Sequence, residues 1–414
     1  MKKNFLPYNS QQIDEKDIKS VMSALRSPYL TTGPIADEFE KELAQYLGVK
    51  YAVVCANGTA ALHLSMLALG IGSGDKIITS PISFVADANA PRFCGADVIF
   101  ADIDPITINL DPQEVRKVLK REKNVKAIIP VHFAGQPCRM DEFNKIAKEF
   151  NLNIIEDGCH ALGGSYIKDN KSVKVGSCAD SLLTTFSFHP IKNITTGEGG
   201  AITTNDKNLY KKLRLLRSHG NTRNSDDFLM HDLSHTNFKQ SKLLNPWYYE
   251  MQYLSHNYRL TDFQAALGKS QLKKLDKFIR KRNELSSLYD KLFEELDQKR
   301  ILPLDNLFEG THGRHLYVVR IPMNQLNGGR AKLMMDLLDD GIQTQVHYIP
   351  IYLQPNYREY FKEKLYFPFS EEYYKNCLSL PLFVGMTNKD VKRVVSSLNN
   401  ILDKNWNPSS KKKK

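Results

Sequence analysis

Lys192 stands in the stretch Ser-Phe-His-Pro-Ile-Lys-Asn-Ile-Thr-Thr-Gly-Glu-Gly-Gly-Ala, residues 187–201. A lysine preceded by a Ser/His pair and followed by glycines is how a chain presents an amine for imine formation. An amine that condenses with an aldehyde must shed its proton, and a partly desolvated, electropositive site lowers its pKa and allows this. An arbitrary loop lysine is a solvated charge. Lys192 differs in the company it keeps upstream: Asn57-Gly58-Thr59-Ala60, Phe84, and Asp157-Gly158-Cys159-His160-Ala161. Each of these has a plainer meaning on its own. Asn-Gly-Thr-Ala also spells a helix cap, and an Asp after an apolar strand is often a turn residue. A Phe is usually core, and a His can simply pack in a pocket.

These residues need a frame, and the hydrophobic pattern supplies one. Residues 51–55 form an apolar run, followed by a Gly-Thr start and helical spacing over 59–69; helical spacing also marks 36–47. Short apolar runs at 76–79, 97–101, 127–131 and 153–156 alternate with helical stretches at 81–94, 112–121 and 140–150. Such alternation predicts a largely parallel central sheet covered on both faces by helices. Residues 180–188 and 200–204 read as its last strands, with Lys192 on the loop between them. Ligands in such sheets sit at the carboxyl ends of the strands, where Asn57 and Asp157 fall. A polar excursion at 221–242, expected near the active site, is followed by helical spacing over 261–295. A β-rich piece at 316–321, a helix at 330–339, a strand at 343–347 and a closing helix at 388–402 complete a smaller C-terminal unit.

At 414 residues the chain exceeds what a single core usually organises, so two domains are expected. Its 42% hydrophobic and 25% charged content is that of an ordinary folded protein. No apolar run reaches the roughly 18 residues of a membrane span, and the N-terminus lacks the apolar core of a secretion signal, so no membrane partner and a cytoplasmic location are expected. Six cysteines, at 55, 94, 138, 159, 178 and 377, show no paired spacing for zinc or a disulfide framework; reduced, mostly buried thiols and no metal are the reading. Of the net charge of +11, four units come from the terminal lysines 411–414. The remainder is dispersed among acids, as on a solvated basic surface, and no nucleic-acid partner is expected.

Taken together, the segments around Asn57, Phe84, Asp157 and Lys192 resemble the sugar aminotransferases of the DegT/DnrJ/EryC1/StrS family, from about residue 7 to about residue 403. The resemblance implies an α/β fold of the pyridoxal-phosphate-dependent, aspartate-aminotransferase-like type (fold type I). That fold has a large domain with a mostly parallel central sheet sandwiched by helices, plus a smaller C-terminal α/β domain. The expected division is 1–245 for the cofactor domain, 246–405 for the small domain with a dimer-contact segment, and 406–414 for a disordered basic tail.

By the same resemblance Lys192 is the covalent anchor and acid/base, Asp157 faces the pyridine nitrogen, and His160 lies near the ring oxygen. Gly58, Thr59 and Ala60 cradle the phosphate at a helix N-terminus, Ser187 adds a hydroxyl, and Phe84 stacks on the ring. Asn257, in His-Asn-Tyr-Arg-Leu, reaches the phosphate of the neighbouring subunit, which implies a homodimer with shared active sites; a cap on the helix near Thr261 is its other reading. The sugar nucleotide is expected to touch the loop 217–220 with His219, the segment 314–317 with His315, and the segment 347–350 with His347 and Tyr348; Arg259 either joins this substrate-binding set or is structural. The implied partners are L-glutamate and a UDP-linked 4-keto sugar, since residues 81–86, 245–252 and 256–266 look most like members acting on one. Another nucleotide-linked 4-keto-6-deoxy sugar, such as the GDP-linked precursor of perosamine, is the alternative. A dehydratase of this fold carries histidine in place of the anchoring lysine, so Lys192 disfavours it. A non-catalytic binding protein on the same fold has no use for Asp157, His160, Lys192 and Asn257 together.

Overall fold

The apolar runs pair into one seven-stranded sheet because each strand is covered on both faces. In the computed structural model, which describes residues 5–238, 241–296, 300–305 and 308–407, the strands are β1 (Tyr51–Cys55), β2 (Lys76–Thr79), β3 (Asp97–Phe100), β4 (Val125–Ile129) and β5 (Asn153–Asp157). After a hairpin of β6 (Ser165–Lys168) and β7 (Lys171–Lys174) come β8 (Leu183–Ser187) and β9 (Gly200–Thr204). The order across the large sheet is β1-β9-β8-β5-β4-β2-β3. β9 runs antiparallel to both neighbours and the other pairings are parallel, as the alternating pattern predicts.

Register sets the site. Cys55 and Ser187 both pair with Gly200, and Asp157 pairs with Thr185. The ends of β1, β5 and β8 and the start of β9 therefore share one edge of the sheet. Gly200 permits the approach: a Cβ there would lie 2.4 Å from the Asn57 carbonyl oxygen.

The helices are α1 (Glu15–Leu25), α2 (Pro34–Leu47), α3 (Gly58–Leu69), α4 (Ala86–Phe93), α5 (Pro112–Arg121), α6 (Met140–Phe150) and α7 (Lys207–Leu216). α3 packs among the sheet and its neighbours and is apolar nearly all round, as a core helix must be. The helix Asp262–Leu272 lies against α1 and α2. Its buried Asp262 carboxylate accepts the backbone N–H groups of Gly33, Ile35 and Ala36 at 2.7–3.2 Å, so it caps α2 from outside the helix. A second core gathers Leu6, the later part of the helix Leu275–Glu294, the helices Gly329–Asp339 and Asn388–Asn405, and a three-stranded antiparallel sheet. That sheet is made of Leu302–Pro303, Tyr317–Arg320 and Cys377–Leu380. Trp406 bridges Leu326 and the Asn407 N–H bonds the Gln325 carbonyl; the rest of the basic tail lies outside the described residues.

Three expectations change in detail. The helix expected over 81–94 begins only at Ala86, because 80–84 form a turn whose Ile82 N–H bonds the Ser80 hydroxyl. The strand expected at 343–347 reduces to a single bridge, Gln345 to Ser379, since the Val346 N–H bonds the Gln345 side chain and the His347 carbonyl takes the Tyr373 hydroxyl. The excursion at 221–242 holds a hairpin, His235–Phe238 with Ser241–Leu244, rather than only irregular chain.

Arg217, from the loop expected to meet substrate, is instead structural. Its guanidinium bonds the Glu40 carboxylate and the Val54 carbonyl (2.9 Å to the latter), while Glu40 also accepts the Val54 N–H at 3.0 Å and an Arg214 bond at 3.2 Å. This buried carboxylate ties α2, β1 and α7 together. Removing one partner of a buried ion pair strands the other, so Glu40→Ala is expected to lower unfolding free energy by about 3 kcal/mol in denaturant melts.

Candidate active site

Lys192 enters the site through a tight turn. Its N–H bonds the His189 carbonyl at 2.8 Å, and the loop back to β9 is pinned by the Thr196 N–H and the Thr195 hydroxyl, both on the Phe188 carbonyl. The side chain is half-buried, and desolvation lowers its pKa, against the opposing pull of Cys159, Asp157 and Asp87. That is the environment in which an amine gives up its proton.

Asp157 closes β5. Its Oδ1 accepts the Cys159 N–H at 2.9 Å, and its carbonyl takes the His132 N–H at 3.1 Å, so both the side chain and the strand end are held. Behind it His132 pairs with Glu156 at 2.8 Å in the core; His132 Nδ1 accepts the Cys138 N–H, which leaves Nε2 to donate to Glu156.

Three buried histidines converge next to the lysine. The His160 and His315 ring centroids are 4.3 Å apart, and His160 Nε2 bonds the Tyr348 hydroxyl at 3.1 Å. His347 Nδ1 bonds the Ser379 hydroxyl at 2.8 Å. Burial pushes all three pKa values down, His347 to about 3, and the Lys192 charge adds to each effect. They are therefore neutral at ordinary pH. His160 Nδ1 is buried and without a hydrogen-bond partner among the described residues, a polar atom awaiting a ligand.

The segment carrying His315 is fixed by Arg282, which the sequence reading did not single out. Its fully buried guanidinium donates to the carbonyls of Arg314, His315 and Leu382 at 2.9–3.3 Å, and burial lowers its pKa to about 10. Asn193, next to the lysine, donates to the carbonyls of Leu162 and Gly313 at 2.7 and 2.9 Å. Backbone bonds from Gly313 to Gly135 and from His315 to Ala134 lock the same cluster.

The remaining residues of the expected set divide. Gly58 starts α3, and a Cβ on it would lie 2.9 Å from the Ser187 Cβ and 3.5 Å from the Cys159 sulfur, so Gly58, Ser187 and Cys159 meet at one point. The Asn57 side chain already caps the Ala60 N–H at 2.8 Å; at a helix start the Gly58 and Thr59 amides have no acceptor within the helix. Of the three amides expected to cradle a phosphate, the Ala60 N–H is thus already taken, and those of Gly58 and Thr59 lie beside Ser187. Phe84 is not core: it is 57% exposed and sits 6.4 Å from Tyr348, ring to ring. Asn257, Arg259 and His219 form a separate group. Asn257 bridges Ser218, Arg259 donates to the Ser218 hydroxyl at 2.8 Å, and the His219 N–H bonds the His256 carbonyl. Asn257 is exposed and does not cap the following helix, whose cap is Thr261 with Gln264.

A buried-edge amine, a carboxylate, an unpartnered ring nitrogen and free amides at a helix start form a set for a cofactor that carries an aldehyde, a basic ring nitrogen and a phosphate. Over residues 11–399 the chain matches the model of the DegT/DnrJ/EryC1/StrS aminotransferase family, and it belongs to that family. It is a sugar aminotransferase that depends on pyridoxal phosphate. It is 39% identical over 401 residues to the UDP-4-amino-4,6-dideoxy-N-acetyl-beta-L-altrosamine transaminase of Campylobacter jejuni, covering 96% of this chain and 98% of that one. To the GDP-perosamine synthase of Caulobacter vibrioides it is 34% identical over 392 residues, covering 94% and 96%. Among solved structures it superposes on Helicobacter pylori PseC, an aminotransferase involved in the biosynthesis of pseudoaminic acid, with a TM-score of 0.84 and 32% identity over 97% of this chain and 100% of that one. No described helix is long and apolar enough to cross a membrane.

The residues present fit the cofactor. Asp157 ends a strand on the sheet edge that also carries Ser187, His160 Nδ1 has no partner among the described residues, and a Cβ on Gly58 would crowd the Ser187 side chain at 2.9 Å beside the first amides of α3, where a phosphate would be held. Gly58→Ala is accordingly expected to weaken pyridoxal phosphate binding about tenfold, measured by equilibrium dialysis, with the circular dichroism spectrum unchanged.

Proposed function

We propose that the chain transfers the amino group of L-glutamate to C4 of UDP-2-acetamido-2,6-dideoxy-β-L-arabino-hexos-4-ulose, giving UDP-4-amino-4,6-dideoxy-N-acetyl-β-L-altrosamine. The Lys192 amine, desolvated beside Asp157 and His160, carries the aminotransfer reading. The choice of sugar is supported by the segments 81–86, 245–252 and 256–266 and by the 39% identity to the altrosamine transaminase.

When bound, pyridoxal phosphate supplies an aldehyde that accepts the amino group and a ring that draws electrons from a breaking C–H bond. Lys192 Nζ anchors it and then moves a proton on and off the carbon that bears the transferred nitrogen. Asp157 holds the proton of the ring nitrogen in place, and the Gly58 and Thr59 amides with the Ser187 hydroxyl bind the phosphate dianion. The neutral His160 offers a ring nitrogen to the cofactor's ring oxygen without adding charge. His315 and Tyr348, already packed on His160, and His347, packed on Tyr348, orient the sugar side of the pocket.

Asn257, Arg259 and His219 fit a role in the active site of a second copy. Beside them runs an exposed apolar stretch that includes Leu229, Trp247 (73% exposed), Met251 and Leu254 (87% exposed), the kind of surface a subunit contact covers. On this reading the two sites of a homodimer are each completed by the partner.

Lys192→Ala is expected to abolish turnover while the fold persists by circular dichroism; a variant working at the wild-type rate would contradict the assignment. Mixing Lys192→Ala with Asn257→Ala subunits should restore activity above either parent, because hybrid dimers hold one intact site. With L-glutamate as donor, kcat/KM for the UDP-linked 4-keto L-arabino sugar should exceed that for the GDP-linked precursor of perosamine by at least about tenfold. The reverse ranking moves the substrate to the alternative while leaving the chemistry in place.

A further inference from the structure

His132 takes no part in the mechanism above, yet every polar group it has is committed in the interior, where the residue is fully buried. Its Nε2 donates to Glu156 at 2.8 Å and its Nδ1 accepts the Cys138 N–H at 2.9 Å. One imidazole therefore closes the loop 132–138 and ties it to β5. The His132 backbone N–H donates to the Asp157 carbonyl at 3.1 Å, and the Asp157 N–H donates to the Pro130 carbonyl at 2.9 Å. Both main-chain groups of Asp157 thus rest on residues 130–132, just past the end of β4.

The same loop carries His315. Its Ala134 carbonyl accepts the His315 N–H at 2.9 Å, and its Gly135 carbonyl accepts the Gly313 N–H at 2.8 Å. Gly135 stands at φ 99°, and a Cβ on it would lie 2.5 Å from the Arg314 nitrogen and 2.8 Å from the His160 carbonyl oxygen, so the loop is pressed against both histidine segments. Ala134 holds φ 57°, a left-handed conformation that a residue with a side chain keeps only where its surroundings over-determine it. Asn109 fills the loop from within, bonding the Phe133 N–H and the carbonyls of Gln136 and Pro137. The His132 ring is the side chain that joins the loop to the strand ending in Asp157.

We propose that His132 is a positioning residue: by closing the loop 132–138 against β5 it makes one platform that holds Asp157, through its main chain, and His315, through the Ala134 carbonyl, in fixed relation to each other. The task needs an acceptor on one edge of a ring and a donor on the other. Leucine offers neither, and asparagine keeps an acceptor for the Cys138 N–H but is too short for Glu156. What the platform is for rests on the reading of Asp157 as the ring-nitrogen partner and of His315 as a substrate contact; the platform itself does not.

Hydrogen exchange tests it on the full chain with the cofactor removed, read on peptides covering 131–138 and 312–316. In the wild type the two peptides should exchange through one opening, with the same dependence on urea. His132→Leu should speed both about tenfold and leave the second-core helix at 391–402 at the wild-type rate, and His132→Asn should return most of the protection. With pyridoxal phosphate added, His132→Leu should weaken its affinity about tenfold by equilibrium dialysis. The titration of the bound cofactor's absorbance band should also move to higher pH, because a less firmly protonated ring draws electrons less. Glu40→Ala, destabilised but outside the site, should bind and titrate like the wild type. Separate openings in the wild type overturn the platform, and that result decides alone if His132→Leu does not fold. An unchanged 312–316 peptide in a folded His132→Leu overturns it too. Faster exchange with unaltered affinity and titration overturns the positioning of Asp157, as does a titration that Glu40→Ala shifts equally. The exchange measurements involve no cofactor, so their failure is distinct from a failure of the site assignments.

Discussion

The structure depends on keeping one ammonium group partly out of water beside buried acids. Lys192 loses hydration on entering the site, which favours its neutral form, while Asp157 and Asp87 favour its charged form. The balance leaves an amine that can exchange its proton at modest cost. The three neutral histidines belong to the same arrangement: charged, they would repel Lys192, and burial keeps them uncharged. The groups that position these residues lie in the interior rather than on the surface. Strand register places Asp157, Ser187 and Gly200 on one edge, and buried donors such as Arg282 and Asn193 fix the segment that brings His315 across from the second core.

Much of this was legible in the sequence because the relevant signals are local. A strand buried on both faces writes itself as an apolar run, so seven strands and their connecting helices fell close to their expected bounds. The Asn-Gly-Thr-Ala segment named its own turn and helix start, although the Asn57 side chain takes the Ala60 amide that was assigned to the phosphate. Lys192, Asp157 and His160, expected to face the cofactor, were visible through motif and resemblance, and they share one neighbourhood in the fold.

What stayed hidden depends on contacts between distant parts of the chain. Arg282 looks like one more basic residue on a helix, and only the fold shows that its guanidinium is enclosed by carbonyls 32, 33 and 100 residues away. Arg217 stood in a loop expected to meet substrate, but Glu40, 177 residues earlier, claims it. The strand expected at 343–347 failed for a similar reason, because side chains, among them Tyr373 from a distant helix, take backbone groups of Val346 and His347.

The division of the expected ligands into two groups follows from the same geometry. His315 and Tyr348 gather on His160, with His347 against Tyr348, whereas His219, Asn257 and Arg259 cluster around Ser218 beside an exposed apolar surface. Both groups gain a purpose if the chemistry at Lys192 is what the buried amine indicates. Reduction of the cofactor-loaded protein with borohydride, followed by peptide mapping, tests that point most directly: the account predicts the phosphopyridoxyl adduct on the peptide containing Lys192, and an adduct on any other lysine, or on none, contradicts it.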